Sequence, residues 1–209
     1  MIPIRLQWQR PRDGVEVYVD GGPEDQMPFR TRSDRTDSIT YDISNLENPI
    51  SLNLINCRQD QDFVRFVERF GLPRNASFPS TKQDSNLWEM AAIKEELEYI
   101  FELAALANSS EKALHANNIM KCVSLVPTFE FSAGKHHLAF QPTDLSGLMI
   151  MEAAVAFDVG AVLTRCDHCA KAYLTGPLTG RRSHSKYCSD RCRVAAMRAR
   201  NKSEGREDL

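Results

Sequence analysis

Two close pairs of cysteines near the end of the 209-residue chain are the residues best suited to chemistry. Cys166-Asp-His-Cys169 is followed by eighteen residues and then by Cys188-Ser-Asp-Arg-Cys192. Each pair offers two thiolates from one tight turn, and the intervening loop lets the pairs converge on one tetrahedral ion. Because four protein thiolates close the coordination sphere, no position remains for an activated water. The spacing therefore predicts a structural zinc site, and metal catalysis is disfavoured.

The segment that holds these cysteines is short. The 37 residues from Cys166 to Lys202 include few large apolar side chains. Segments below roughly 40 residues seldom fold without a disulfide, a metal or a partner. Zinc supplies about 10–16 kcal/mol of apparent binding energy in peptides of this kind at neutral pH. We therefore expect the ion to hold the segment together, with His168 and His184 left spare by the four cysteines.

The charge of the chain is unevenly distributed. The formal net charge is −2, yet residues 165–202 carry 10 Lys and Arg against 2 Asp and Glu. Residues 1–164 carry 15 against 23. A basic segment attached to an acidic body indicates an anionic partner, and nucleic acid is the leading candidate. The alternative is that the basic side chains solubilise a small finger or dock it on the acidic body.

The candidate contacts with nucleic acid lie in the loop between the cysteine pairs and on the helix that comes after it. Ser189 is predicted to cap this helix, which places Cys192 in its first turn. At about 100° per residue, Ala195, Ala196 and Ala199 share the metal-facing side with Cys192, and basic residues form two flanks. Such flanks can meet phosphates on both sides of a groove. The candidate nucleic-acid-binding residues are Arg181, Arg182, Lys186, Arg191, Arg193, Arg198, Arg200 and Lys202.

The first part of the acidic body predicts strands. Residues 2–9 and 15–20 alternate between apolar and polar side chains, and the strong turn sequence Arg-Pro-Arg-Asp-Gly joins them, so we expect a hairpin. The polar residues 21–37 predict a loop, and residues 38–44 predict another strand. Residues 50–55 are apolar but too few for periodicity to separate strand from helix.

The rest of the body predicts mainly helices, which makes the fold class α+β. Apolar residues at helical spacing, with caps and terminators, predict helices over 60–70, 86–107, 112–120 and 144–159. Alternation predicts a second hairpin from residues 121–131 and 136–141. A change in the sign of the charge predicts three units: an α+β domain over 1–164, a treble-clef-like finger over 165–202, and a disordered tail over 203–209.

Several classes of protein are disfavoured by what the sequence lacks. Glu152 and Asp158 interrupt the longest apolar run, and no secretory signal is visible, so we expect a cytoplasmic protein. A glycine-rich phosphate loop, a nucleophile elbow and a histidine pair at helical spacing are all missing, so we expect no enzyme. The remaining cysteines, Cys57 and Cys122, stand among apolar residues and are predicted to be buried thiols, with a redox switch as the alternative.

The finger resembles a known family in three stretches. Cys-Asp-His-Cys, Tyr-Cys-Ser-Asp-Arg-Cys-Arg and Ala-Ala-Met-Arg-Ala-Arg are similar to the bacterial CGNR zinc-finger family. The body resembles the ABATE domain that precedes the finger in that family and is described as a stress-induced transcription regulator region. This second resemblance depends on Phe63-Val-Arg-Phe-Val-Glu-Arg-Phe-Gly, on the helix near Trp88, and on the order of hairpin, helix and finger.

The resemblance implies a zinc-dependent, DNA-binding transcription regulator whose N-terminal domain senses a small-molecule effector. The four cysteine ligands carry over by position. Arg193-Val194-Ala195 stands where the family has Gly-Asn-Arg, so any role of that tripeptide does not carry over. The alternative function is a zinc-stabilised protein-interaction module that makes no direct contact with nucleic acid. The sequence leaves the oligomeric state open, a dimer included.

Overall fold

A computed structural model describes residues 3–17, 29–74, 86–105, 114, 117–118, 120–132 and 134–204. The strands are β1 (Arg5–Pro11), β2 (Val15–Val17), β3 (Phe29–Thr31), β4 (Thr36–Asp42), β5 (Leu125–Ser132), β6 (Lys135–Pro142), β7 (Val162–Arg165) and β8 (Ala172–Thr175). The helices are α1 (Ile50–Ile55), α2 (Asp60–Phe70), α3 (Leu87–Ala105), α4 (Leu145–Val159) and α5 (Asp190–Glu204). Helices and antiparallel strand pairs are mixed along the chain, which confirms the α+β prediction.

Strand pairing in the first forty residues differs from the sequence prediction. β1 pairs antiparallel with β4, with Trp8 opposite Ile39, and the short β2 pairs with β3. The predicted hairpin between residues 2–9 and 15–20 is therefore wrong, although residues 2 and 18–20 lie outside the described part of the chain. The predicted loop over 21–37 contains β3 and the beginning of β4.

β1 pairs with β4 rather than with β2, its neighbour in sequence, because β4 is the longer strand. The amide of Arg12 donates to the carbonyl of Arg35 at 2.9 Å, which extends the seven-residue β1–β4 ladder past its strand ends. The amide of Arg32 donates to the carbonyl of Gly14 at 3.2 Å, so β2 and β3 form an inner hairpin beyond that ladder. A turn sequence marks where the chain bends, but it does not identify the strand that pairs.

The later elements match the sequence predictions closely. α2 ends at Phe70 with Gly71 as its C-terminal cap, α3 covers most of 86–107, and β5 and β6 form the second predicted hairpin. Asp144 caps α4 by accepting from the amide of Gly147 at 2.7 Å, and Gly160 ends it in the left-handed region. The predicted helix over 112–120 falls largely outside the described residues, although positions 114, 117–118 and 120 are helical.

A single cluster of buried apolar side chains joins the two long helices to the sheets. α3 contributes Met90, Leu97 and Phe101, and α4 contributes Leu148 and Met149, all of which are fully buried. The same cluster includes Ala172 and Leu174 of β8, so the hairpin that carries the first cysteine pair is anchored in the core of the body. No helix of the described residues has the length and apolar character needed to cross a membrane.

Gly71 is required by the close approach of α2 to β1. Its φ of 93° lies in the region that favours glycine, and a Cβ atom there would lie 2.4 Å from the carbonyl oxygen of Gln9. Trp8 on β1 is buried, and its indole nitrogen donates to the carbonyl of Leu72 at 3.0 Å. The end of α2 is thereby held against the first sheet, which fixes the direction in which the helix crosses the body.

Glu152 explains why residues 50–55 form a helix. Pro49 occupies the N-cap position of α1 but has no side chain that can accept a hydrogen bond. The carboxylate of Glu152 on α4 replaces that cap, because it accepts from the amides of Ile50 and Ser51 at 2.8 Å each. These amides are buried and would otherwise lack partners. The charge that interrupts the apolar run of α4 therefore satisfies the first turn of α1.

Burial makes the stability contribution of Glu152 dependent on pH. Desolvation raises the pKa of Glu152 to about 7 from an ordinary value of 4.5, and hydrogen bonds from Ser51 and Ile50 offset only part of that increase. Between these two values the folded state holds a proton that the unfolded state has lost. Rising pH therefore lowers the free energy of unfolding over this range, by up to about 3 kcal/mol.

We expect Glu152→Gln to remove this pH dependence. Urea denaturation of the wild-type protein and the variant at pH 5 and pH 7.5 measures the difference in their free energies of unfolding. Because both proteins share every other titrating group, including the cysteines, that difference isolates Glu152. The amount by which the free energy of unfolding of the wild-type protein exceeds that of the variant should shrink from pH 5 to pH 7.5. A difference that stays constant or grows would show that the buried carboxyl is ionised throughout.

Candidate metal centre

The first cysteine pair lies in the turn between β7 and β8. The amide of Cys166 donates to the carbonyl of Lys171, and the amide of Ala170 donates to the carbonyl of Cys166, both at 2.9 Å. Ala170 adopts a left-handed φ of 58°, which tightens the turn after Cys169. These bonds bring both side chains to one side of the hairpin end, as a zinc knuckle requires.

The second cysteine pair lies at the beginning of α5. The Ser189 hydroxyl accepts from the amide of Cys192 at 3.3 Å, which confirms the predicted cap and the position of Cys192 in the first turn. Arg181 holds the residues just before the helix in place, because its Nε donates to the carbonyl of Cys188 at 3.2 Å. A knuckle in a hairpin, with a second pair at a helix start, is the arrangement expected of a treble-clef-like finger.

The four sulfur atoms converge on one point. The Sγ atoms of Cys166, Cys169, Cys188 and Cys192 all lie within 4.8 Å of one another. Cys188 Sγ lies 3.6 Å from the Sγ atoms of both Cys169 and Cys192, far beyond the roughly 2.05 Å of a disulfide bond. Tetrahedral coordination with Zn–S bonds of about 2.3 Å would separate the sulfurs by roughly 3.8 Å. The cluster is compatible with binding one metal ion.

The electrostatics of the cluster favour a cation at its centre. Burial raises the pKa of the Cys166 thiol, but amides of Cys188, Cys169 and His168 outweigh that effect and lower the pKa to about 6. Burial and the neighbouring thiols raise the pKa of Cys188 to about 12. The metal-free cluster therefore holds one thiolate readily and resists further deprotonation. A divalent ion removes that resistance by neutralising the thiolates that it binds.

The finger is bound to the body through Asn56, a residue that the sequence analysis did not single out. Its side chain accepts from the amide of Ala172 at 2.8 Å and donates to the carbonyl of the same residue at 2.9 Å. Arg165 forms an ion pair with Glu98 of α3 at 3.2 Å. Asparagine is common just after the C-terminal end of a helix, so the position of Asn56 in the sequence does not indicate its contact with a residue 116 positions away.

The candidate nucleic-acid-binding residues occupy two different environments. Arg181 is half-buried, with its guanidinium 5.7 Å from the ring centre of Tyr173 and a bond to the carbonyl of Glu47. Arg193 forms an exposed ion pair with Asp190 at 3.1 Å. The exposed members of the set are Arg182, Lys186, Arg191, Arg193, Arg198 and Arg200. Lys202 lies in the last turns of α5.

α5 projects from the body after its first turns. Ala195 and Ala196 are half-buried on the side of the cysteines, but every residue from 197 to 201 is exposed, Ala199 included. Val194 and Met197 are 40% and 49% exposed. The predicted alanine face is thus partly buried near the metal ligands and exposed farther along the helix. The helix continues to Glu204, and residues 205–209 of the predicted tail lie outside the described chain.

The two remaining cysteines differ from one another. Cys57 is buried, as predicted, and desolvation together with the nearby Asp62 raises the pKa of its thiol to about 11. Cys122 is exposed, so its predicted burial is wrong. The apolar neighbours of Cys122 in sequence do not enclose it, because it lies in the turn that leads into β5. Neither residue is part of the four-cysteine cluster.

Comparison of the chain with protein-family models, with curated proteins and with solved structures finds no match. Structural evidence about its function comes from the geometry of the described residues. Within these residues, the four cysteines are the group of side chains arranged to hold a metal ion.

We expect the purified chain to bind one divalent ion, and Cys188→Ser to abolish stoichiometric binding. Serine is a poor ligand for soft metals, and the loss of one thiolate opens the coordination sphere. Metal content by elemental analysis and the visible absorption of Co²⁺ bound by thiolates measure this. Cys122→Ser is the matched control, because it removes an exposed thiol outside the cluster. Equal metal content in the two variants would contradict the assignment of the ligands.

Metal affinity should also rise with pH. The raised pKa values of Cys169 and Cys188 mean that these thiols keep their protons near neutrality in the metal-free protein. Binding must displace those protons, so acidification opposes it. We expect affinity to change by at least about tenfold per pH unit between pH 6 and pH 8. Titration with a competing chelator, corrected for its own protonation, measures this, and an affinity independent of pH would argue against thiolate ligation.

Proposed function

We propose that the four cysteines bind zinc and that the zinc-bound finger binds nucleic acid, with duplex DNA as the partner. The convergence of the four Sγ atoms within 4.8 Å supports the choice of metal, because four cysteine thiolates in a tetrahedral arrangement are typical of structural zinc. The four thiolates close the coordination sphere of the ion, which therefore performs no reaction. Its function in this proposal is to fix α5 and the preceding loop relative to the body.

The exposed basic side chains carry the nucleic-acid proposal. Arg182, Lys186, Arg191 and Arg198 are exposed, and none of them forms an ion pair with another described residue. Unpaired arginines and lysines on a projecting helix and its loop suit contact with phosphates. A positive segment of this density exceeds what solubility requires. We assign these side chains to positioning on the phosphate backbone, which carries no sequence information by itself.

The proposed biological function is transcription regulation by a cytoplasmic, non-enzymatic protein. The resemblance of the finger to the CGNR family and of the body to the ABATE domain supports this function, with an effector-sensing body as its second part. The direct coupling of β8 to the core of the body supports the idea that a change in the body reaches the finger. Regulation of this kind needs two states that the effector distinguishes.

A second candidate function is a zinc-stabilised protein-interaction module. Val194 and Met197 favour it, because both are exposed apolar side chains one turn apart on α5. In this case the helix would lay that apolar pair on a partner protein, and the basic flanks would pair with its carboxylates. The two candidates differ in whether the isolated zinc-bound protein is retained by DNA at low salt.

We expect Arg191→Ala and Arg198→Ala each to weaken binding to duplex DNA. Each substitution removes about one phosphate contact, so the slope of log K against log salt concentration should become less negative by about 0.9. Fluorescence anisotropy with a labelled duplex over a series of salt concentrations measures both quantities. The zinc content of each variant should stay at that of the wild-type protein, because neither arginine is one of the four cysteine ligands.

Arg35→Ala is the matched control for this experiment. It also removes one exposed arginine, but from the turn before β4 on the body. We expect it to leave the salt dependence unchanged. If the zinc-loaded wild-type protein fails to bind DNA at low salt, the DNA proposal is wrong. A protein complex that is lost on Val194→Ser with Met197→Ser would then favour the second candidate.

A further inference from the structure

Two open clefts meet beside the metal centre. The first, of about 380 Å³, lies between α1, α2 and β8. The second, of about 730 Å³, lies between the loop after β8 and the start of α5. They share four lining residues, which are Glu47, Asn48, Arg181 and Cys188. A continuous depression therefore runs from the beginning of α5, past a metal ligand, onto the body.

The arginines of α2 lie on one of its sides, and two of its three carboxylates lie on the other. Arg65 and Arg69, four residues apart, line the cleft beside the finger. Asp60 and Glu68 line a different cleft, next to β2. α2 thus presents both of its arginines toward the finger, together with Asp62, and its other two carboxylates away from it. The net negative charge of residues 1–164 hides this arrangement, because charge counted along the sequence ignores which side of a helix each residue occupies.

The joined depression is cationic along its whole length. Seven of its lining residues are lysine or arginine, and three are aspartate or glutamate. The cationic residues are Arg65, Arg69, Lys171, Arg181, Arg182, Lys186 and Arg193, and the carboxylates are Glu47, Asp62 and Asp190. Four of the seven already belong to the predicted nucleic-acid contacts of the finger. Arg65, Arg69 and Lys171 extend the same sign of charge onto the body.

We infer that the phosphate backbone of bound duplex DNA continues from the finger across this depression, with Arg65, Arg69 and Lys171 as phosphate contacts. The inference rests on the proposed function of the finger and names an additional surface for it. The body and the finger then both contact phosphates of the same strand of the duplex. This divides the interface between the two parts of the chain that the Asn56 contact locks together.

The aromatic residues of the clefts favour a duplex over a single strand. Proteins that bind single strands offer exposed aromatic rings on which bases stack. Phe66, Phe70 and Tyr173 line the first cleft but are only 3%, 8% and 3% exposed. Their rings support the floor of the cleft and are not available for stacking. What faces solvent is charge, which suits contact with the phosphates of an intact duplex.

The carboxylates in the depression are already partly engaged. Asp62 accepts from the amides of Arg58 and Gln59 at 3.0 and 3.2 Å, and these bonds lower the pKa of its carboxyl. Its ion pair with Arg65, at 3.4 Å, is exposed. Exposed ion pairs of this kind are weak and screened by salt. Arg65 can therefore turn from Asp62 to a phosphate while Asp62 keeps its helix-capping bonds.

The test is the double substitution Arg65→Gln with Arg69→Gln, measured against duplex DNA by the same salt series. Loss of two contacts should make the salt slope less negative by about 1.8 and reduce affinity about tenfold to a hundredfold at 0.1 M salt. Glutamine keeps much of the length of the side chains, and both positions are on the surface of α2. Lys171→Gln provides a second variant, in which one contact is lost and α2 is unchanged.

Arg32→Ala with Arg35→Ala is the control, since it removes two exposed arginines that line neither cleft. The inference is supported if this control keeps the wild-type slope while both cleft variants lose slope in proportion to the charges removed. It is overturned, with the proposed function intact, if the wild-type protein binds DNA and the cleft variants match it, or if the control weakens equally. A wild-type protein that binds no duplex overturns both.

Discussion

The convergence of four thiolates from two ends of a 27-residue stretch is the constraint on which the basic part of the molecule depends. Burial opposes ionisation of the Cys188 thiol, and so does repulsion between thiolates that would lie 3.6 Å apart; together they raise its pKa to about 12. A divalent ion turns that repulsion into a cross-link between the β7–β8 hairpin and the start of α5. Without such a link, α5 would be held only by its first turns, since residues 197–201 are exposed.

The second level of organisation is the coupling between the finger and the body. β8 lies directly after the first cysteine pair and contributes Leu174 to the core. Asn56 pairs with both backbone groups of Ala172, and Arg181 links the loop to Cys188 and to Glu47. The finger is therefore an extension of the core rather than a tethered module. A protein built this way can present one charged surface made from residues that lie far apart in sequence.

Buried polar groups fix the geometry that supports this surface. Glu152 replaces the missing cap of α1, which lets the chain turn from Pro49 into a helix that borders the first cleft. Gly71 and Trp8 hold α2 against β1 at the other border. Each of these residues satisfies a local backbone requirement, and together they place the arginines of α2 beside the finger. The body thus shapes the cationic depression even though its own net charge is negative.

The sequence by itself determined the elements whose causes are local. Cysteine spacing identified the four clustered residues, a serine cap located the start of α5, and helical periodicity with Asp144 and Gly160 located α4. Only the tertiary structure decided what depends on distant partners: the pairing of β1 with β4, the helical state of residues 50–55, the exposure of Cys122, and the docking through Asn56. The physical reason is that caps, turns and ligand spacing act over a few residues. Strand pairing, burial and the grouping of charges arise from contacts between residues that a linear pattern does not connect.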